Sequence, residues 1–347
     1  MIGKVLVLGA GVAGMSATLD LANAGCEVYL IEKEKEIGGK AFQYSCKRTE
    51  TCQKCSACLA YQIRNQVEHH PNVRLLPFSM ITGVSGKPGD FKASVRLLND
   101  TRLDLGAETT LEVQALLIAT GFEVYRPKYQ GEFGYGLYAN VMTAYELEFF
   151  LRQFSAERVP KPERIGFVQC FGSRGQATGR SYCSRVCCAN TVHLTLKLHF
   201  LFPEAHIRVF YQDRQSFGKV RFWNHMQDAA NIEYVRGLPA KVLGYPKGKV
   251  TVRYPNTFQG TVHEDEFDWL VLATGMIPPE DQLEEIVGLQ LERNRDGFYA
   301  QTEMGTSQAG VFVAGACQGP KDIPQSIAHA KAASGQMLRF LQRLSSL

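Results

Sequence analysis

Short aliphatic runs, each ended by glycine or proline and followed by a stretch of helical periodicity, repeat along this chain of 347 residues. Residues 4–8 read as a β-strand apolar on both faces, 12–24 as a helix that Gly25 stops, and 26–31 as the next strand. A helical stretch at 62–68 follows, with strands at 73–76 and 91–98 around the turn Gly86-Lys87-Pro88-Gly89, and a further strand over 113–118. A loop rich in Tyr, Gly and Pro at 125–138 leads to an amphipathic helix at 144–154 and a Pro160-Lys161-Pro162 linker. Beyond it come a strand at 165–170, an apolar helix at 191–200, a strand at 206–211, a helix at 219–230 and a strand at 232–235. A hairpin over 241–254 turns at Pro246-Lys247-Gly248, before strands at 267–272 and 310–314 and an Ala-rich helix at 323–344 that Pro324 introduces. This alternation predicts an α/β fold of two Rossmann-like domains, the second inserted in the first. Residues 1–155 and 270–347, with a Cys-rich loop at 40–60, are assigned to the outer domain and 156–269 to the inserted one.

The first strand runs straight into Gly9-Ala10-Gly11-Val12-Ala13-Gly14. In this strand–turn–helix setting Gly9 permits the tight turn, Gly11 lets backbone approach a pyrophosphate, and Gly14 lets helix pack on strand. The second strand ends at Glu32, placed to accept from a ribose hydroxyl, with Lys33 beside it. Gly38-Gly39-Lys40 follow shortly after. With this pair the sequence resembles the two-dinucleotide-domain flavoproteins of thioredoxin-reductase type, which implies FAD in the first site. Two strands end alike, in Ala119-Thr120-Gly121 and Ala273-Thr274-Gly275, as expected where such a chain passes between its domains. The resemblance also implies flavin contacts at Gly315 and the next position, where Ala316 stands in place of the family's aspartate. The last helix would point its positive end at the flavin ring, with Lys321, Gln325 and Ser326 as candidate polar contacts.

Eight of the ten cysteines fall into two groups. Cys46, Cys52, Cys55 and Cys58 lie in a polar loop, the last three at CxxCxxC spacing, which suits an iron–sulfur cubane or a tetrahedral zinc ion. The resemblance to flavoprotein disulfide reductases, which carry a cysteine pair shortly after the GG motif, implies a redox pair of Cys46 and Cys52 as the third alternative. Cys170, Cys183, Cys187 and Cys188 occupy the loop after the strand at 165–170. A nicotinamide site there needs GxGxxG, and the chain has Cys170-Phe171-Gly172-Ser173-Arg174-Gly175, which disfavours NAD(P).

Composition narrows the chemistry. Apolar residues make up 45% and charged residues 21%, an ordinary globular balance. The net charge of +4 is spread without basic runs, which argues against nucleic acid. The chain enters its first strand at once, with no signal-peptide pattern and no apolar run of membrane-spanning length, so a cytoplasmic protein is expected. In that compartment thiols stay reduced, and clustered cysteines point to metal or redox chemistry.

The C-x12-C-x3-CC spacing of the second group, with Gln169, Gly172-Ser173-Arg174, Tyr182, Ser184-Arg185 and Gly319-Pro320-Lys321-Asp322-Ile323-Pro324, resembles the A subunits of heterodisulfide reductases and their shorter relatives in sulfur oxidation. The resemblance spans essentially the whole chain. It implies a [4Fe-4S] cluster on Cys170, Cys183, Cys187 and Cys188, one or two clusters in all, FAD, and an oxidoreductase subunit passing electrons between them. Arg174, Arg180 and Arg185 would offset the cluster's negative charge. Other subunits of the complex, a lipoyl-carrier protein and a second copy of the chain are the implied partners. A self-contained NAD(P)H-dependent disulfide reductase using Cys46 and Cys52 and a non-catalytic FAD scaffold are the competing readings.

Overall fold

The computed structural model describes residues 2–98, 108–126, 132–153, 161–175, 179–215, 217, 231–244, 248–281, 283–286, 288–302 and 305–346. The chain divides into one unit of residues 1–42, 56–123 and 278–347 and another of 43–55 and 124–277. It begins with β1 (Lys4–Leu8), α1 (Val12–Asn23), β2 (Glu27–Ile31), α2 (Gly39–Phe42), α3 (Cys58–Glu68) and β3 (Val73–Leu76). The antiparallel strands β4 (Ser79–Lys87), β5 (Asp90–Leu97) and β6 (Glu108–Val113) follow, then β7 (Ala115–Ile118) and, where the chain leaves the first unit, β8 (Glu123–Val124). The second unit adds β9 (Val141–Thr143), α4 (Ala144–Gln153), β10 (Arg164–Phe171), α5 (Cys187–Leu201), β11 (His206–Tyr211) and β12 (Ile232–Arg236). Its antiparallel strands are β13 (Lys241–Gly244), β14 (Val250–Asn256) and β15 (Thr261–Phe267), followed by β16 (Trp269–Thr274) and β17 (Met276–Ile277). The chain returns to the first unit with β18 (Val311–Val313) and α6 (Ile323–Ser345).

Each unit is built on a five-stranded parallel sheet, in the order β18-β7-β1-β2-β3 and β12-β11-β10-β16-β9. The unbroken apolar run of β1 follows from burial on both faces. Val5 and Val7 enter a core with α1 and α6, while Leu6 and Leu8 enter a second core with the strands β4 to β6. Each such side chain contributes about 1.5–3 kcal/mol by leaving water. β10 divides in the same way, Ile165 and Phe167 to one core and Val168 to the other.

In both sheets the strand order reverses beside the first strand, between β1 and β7 and between β10 and β16. The crevice beyond the carboxyl ends of such a pair is where α/β sheets hold ligands.

The unit boundaries fall at 123/124 and 277/278, not at 155/156 and 269/270. The physical reason is pairing: β9, which leads into α4, is hydrogen-bonded to β16 in the second sheet. The Cys-rich loop also departs from the expected outer domain, since 43–55 packs with the second unit. β15 was not anticipated, because its exposed positions carry Val262, Glu264 and Glu266 and only Phe267 is buried. The helix expected at 219–230 lies outside the described residues.

Candidate cofactor-binding sites

At the switch point of the first sheet the glycine loop closes on its neighbours. Gly9 has φ +97°, and a Cβ on it would come 2.6 Å from the Ala119 carbonyl oxygen. A Cβ on Gly14 would come 1.8 Å from the Gly9 carbonyl oxygen, so helix and strand touch as the motif requires. Gly11 differs, for a Cβ there meets nothing within 4 Å. The open space lies in front of the first N–H groups of α1, which have no intrahelical acceptor and suit an anion. Gly38 donates its N–H to the Ala10 carbonyl at 2.8 Å, and a Cβ on Gly39 would come 2.9 Å from the Gly11 Cα. The GG pair thus forms one wall of the same cradle.

Glu32 is buried, accepting from the Ala10 N–H at 2.8 Å and the Glu34 N–H at 2.9 Å. Burial raises its pKa above the ordinary carboxylate value, against those two hydrogen bonds. Each oxygen keeps a lone pair for a ribose hydroxyl. Lys33 and Lys40 pair with Glu123 at 3.8 and 3.2 Å, and Lys40 lies over the Phe122 ring, just beyond Ala119-Thr120-Gly121. The Thr120 hydroxyl is buried and has no partner among the described residues. An open cradle, a helix N-terminus, and an orphaned hydroxyl fit a dinucleotide pyrophosphate.

Gly315 and Ala316 follow β18, and a Cβ on Gly315 would come 2.5 Å from the Ala13 Cβ, so this turn lies against the start of α1. Its N–H donates to His329 Nδ1 at 3.0 Å, while His329 Nε2 lies 2.8 Å from Gln301 Oε1. The pairing fixes a neutral imidazole with its proton on Nε2, and burial lowers the His329 pKa below its ordinary value. His329 was not found from sequence, because a lone histidine in an Ala-rich helix carries no pattern. At the head of α6, Asp322 and Gln325 form a reciprocal capping box. The Gln325 side chain therefore holds the helix end, and Ser326 is buried one residue on.

The second switch point carries thiols. β10 loses register with β16 between Val168 and Phe171, and in that irregularity Cys170 adopts φ +60°, the left-handed conformation that Gly9 has in the first unit. Cys187 and Cys188 open α5, both buried. The Cys170 thiol is pushed up to about 11 by burial and by Cys188 and Cys183, against the charge of the Arg174 guanidinium. Cys187 and Cys188 are neighbours in the first turn of α5, and their pairing raises Cys187 and lowers Cys188. Cys170 and Cys183 raise Cys187 further by their charge. Cys183 accepts from the Arg185 N–H at 3.3 Å, and the Gln215 backbone lowers Cys188. The exit Ala273-Thr274-Gly275 closes on this loop: a Cβ on Gly275 would come 2.6 Å from Ser184 Oγ, which accepts from the Met276 N–H at 2.9 Å. Arg180 lies over the Tyr125 ring and Arg185 over Phe217.

Among the described residues no group of three or more His, Cys, Asp or Glu converges as a single metal ion requires. A lone zinc ion draws its donors to within 2.0–2.3 Å of one point. A cubane binds each cysteine through a different iron and so takes a wider set. Four thiols at a helix N-terminus, with backbone N–H donors and a guanidinium beside them, fit that wider and negatively charged group.

The first cysteine group is placed differently. Cys46, Cys52 and Cys55 belong with the second unit, whereas Cys58 opens α3 in the first. Cys46, Cys52 and Cys58 are exposed, Cys55 is half-buried, and none is in a disulfide. The loop is anchored by Lys47, whose ammonium lies 2.5 Å from Glu148 with both side chains about 2% exposed or less. Ser45 donates N–H and hydroxyl to the same carboxylate at 3.0 and 2.7 Å. Neither Lys47 nor Glu148 was singled out from sequence, although Glu148 falls beside Ala144 and Leu147 on the buried face of α4.

Residues 3–159 match the model of the pyridine nucleotide-disulphide oxidoreductase family. Over 96% of its length the chain is 30% identical to the second iron-sulfur A subunit of CoB–CoM heterodisulfide reductase from Methanopyrus kandleri. It is 29% identical, over the same share, to the A subunit of the H2:CoB-CoM heterodisulfide, ferredoxin reductase of Methanothermobacter marburgensis. The chain spans 63% of the length of each of these relatives. In fold it matches thioredoxin reductase of Lactococcus lactis, with a TM-score of 0.65 at 16% identity over 98% of this chain and 99% of that one. Bacillithiol disulfide reductase of Bacillus cereus gives 0.64 at 17% identity over 98% and 99%. The two-domain α/β architecture is thus that of the thioredoxin-reductase-like flavoproteins.

Proposed function

We propose that this relative of the heterodisulfide reductase A subunits is an iron–sulfur flavoprotein, an oxidoreductase subunit that carries electrons between FAD in its first unit and a [4Fe-4S] cluster in its second. The observation that carries the reading is the contrast between the two switch points. One keeps an open glycine cradle; the other presents Cys170, Cys183, Cys187 and Cys188 around Arg174. FAD would supply one- and two-electron carrier chemistry and the cluster one-electron chemistry.

The chain's own groups have defined tasks in this reading. The α1 N-terminus and Gly11 receive the pyrophosphate, Glu32 and Lys33 face the adenosine ribose, and Gly38, Gly39 and Lys40 wall the cradle. Thr120 offers its free hydroxyl, between Ala119 and Gly121. Gly315 and Ala316 line the flavin side, where the positive end of α6, with Gln325 and Ser326 in its first turn, favours an anionic reduced ring. In the second unit the Gln215 and Arg185 N–H groups and the Arg174 guanidinium stabilise thiolate charge.

Partner subunits of a heterodisulfide-reductase-like complex, a homodimer, a cytoplasmic setting, a place in sulfur oxidation and a lipoyl-carried thiol or disulfide substrate complete the proposal. Among the described residues no helix is long and apolar enough to cross a membrane. Cys46, Cys52, Cys55 and Cys58 are proposed as a second set of thiol ligands.

The test is iron, acid-labile sulfide and flavin per chain on anaerobically isolated protein. Four irons per flavin are expected from the second unit alone, and eight if residues 46–58 also hold a cluster. Protein without iron whose flavin is rapidly bleached by NADPH would instead establish a disulfide reductase working through Cys46 and Cys52.

A further inference from the structure

In the first sheet the acid at the end of the second strand, Glu32, turns onto its own glycine loop. β11 holds the corresponding place in the second sheet, next to β10 on the side away from β16. Its acid is Asp213. In a dinucleotide domain this position reads ribose hydroxyls, but here Arg174 takes the carboxylate: Nη1 bonds Oδ1 and Nη2 bonds Oδ2 at 3.0 Å. The pairing holds the Asp213 carboxyl below its usual range, with help from the Gln215 side chain.

The Gln215 backbone lowers Cys188, and the exposed Phe217 ring lies under the Arg185 guanidinium at 4.4 Å. Arg174 itself stands at φ +59°, a conformation a side-chain-bearing residue keeps only where its surroundings impose it, and its N–H is fixed to the Tyr182 carbonyl at 3.1 Å. The guanidinium is thereby forked onto the Asp213 carboxylate, and its charge lowers Cys170.

We propose that Asp213 is a positioning residue for the four-thiol site, clamping Arg174 against Cys170 and setting the charge under which that site takes up an electron. The inference rests on the reading that these thiols hold a cluster. Reduction adds one negative charge, which Arg174 favours and Asp213 opposes. Arg174→Gln leaves the carboxylate uncompensated and makes reduction harder. Asp213→Asn keeps an acceptor for the guanidinium, removes the negative charge and makes reduction easier. In the double variant the two charges leave together, and the potential returns toward the parent value.

The experiment is an anaerobic redox titration of the intact protein, followed by EPR of the reduced cluster, with iron and labile sulfide measured on every variant. Each single variant is expected to move the one-electron equilibrium about tenfold, which corresponds to about 59 mV, in opposite directions. Asp213→Glu, which retains the charge, should stay near the parent. If Arg174→Gln loses its iron, Arg174→Lys carries the comparison, and a fall smaller than tenfold is expected because the charge stays while the fork is lost. Singles that keep their iron and shift in the same direction, or not at all, overturn the clamp while leaving the cluster reading intact. Parent protein with no iron overturns the cluster reading itself.

Discussion

Gly11→Ala separates the ligand from the fold at the first switch point. Gly11 caps α1 at φ −73° and ψ −178°, a conformation alanine adopts freely, and its Cβ would meet no atom within 4 Å. Flavin-free protein should tolerate the change or gain about 0.4–1 kcal/mol from a stiffer unfolded chain. The same methyl occupies the space a pyrophosphate must enter to reach the α1 N–H groups. Displacing a phosphate oxygen from one or two charge-assisted hydrogen bonds, at about 1.5–3 kcal/mol each, removes roughly 3 kcal/mol of binding. At about 1.4 kcal/mol per decade, FAD affinity should fall about 100-fold. Calorimetric titration of deflavinated protein with FAD reads the affinity, and thermal unfolding without FAD reads the fold. Gly14→Ala is the contrast, because its Cβ would lie 1.8 Å from the Gly9 carbonyl oxygen and should destabilise the empty protein. Unchanged FAD affinity in Gly11→Ala would refute the placement of the pyrophosphate. Destabilisation as large as that of Gly14→Ala would refute the open cradle.

Three further outcomes are expected. Cys183→Ser should lose the second-unit cluster while keeping FAD, and an unaltered iron content and EPR signal would remove Cys183 from the ligand set. Lys47→Met strands the buried Glu148 carboxylate and should cost about 3–5 kcal/mol in chemical denaturation, whereas Lys47→Met with Glu148→Leu should recover most of it. A cost below about 1 kcal/mol for the single change would mean that the pair is solvated. His329 should contribute a pH dependence, since its lowered pKa means that the unfolded chain takes the proton first. Its contribution is full above about pH 6.5, the ordinary histidine value, and is lost as pH falls below that and through the folded value. The fall in melting temperature between pH 7 and pH 5 should be smaller in His329→Gln, and equal slopes would exclude the imidazole as its source.

What was legible in the sequence had a local cause. The strand, glycine loop and helix from Lys4 to Asn23 are adjacent in the chain, with Gly9 and Gly14 answering contacts a few residues away or on the neighbouring strand and Gly11 leaving open space. The paired Ala-Thr-Gly exits were legible for the same reason, and both lie at a switch point. What escaped depends on distant pairing. Glu148 is drawn into the core by Lys47, 101 residues away, and His329 by Gly315 across a turn. The unit boundary depends on β9 joining β16, which no composition shift marks.

The two switch points also explain why a cysteine can stand where a fingerprint needs glycine. The turn after the first strand demands a left-handed residue in both units, φ +97° at Gly9 and +60° at Cys170. Glycine meets the demand at Gly9 without strain, and Gly11, two residues on, leaves the space in front of the helix open, as a pyrophosphate requires. A cysteine there carries roughly 1–3 kcal/mol of strain and brings a sulfur into the crevice. Arg174 and Arg185, also left-handed, carry the same kind of strain in the same loop. Such strain persists only where the surroundings over-determine it, and the bonds from Arg174 to Asp213 and Tyr182 and from the Met276 N–H to Ser184 do so. That Cys170, Arg174 and Arg185 keep side chains where glycine would relieve the backbone supports the proposed cluster site, and the same conformation at Phe78 and Phe133 shows that the cysteines, not the dihedrals, carry the chemistry.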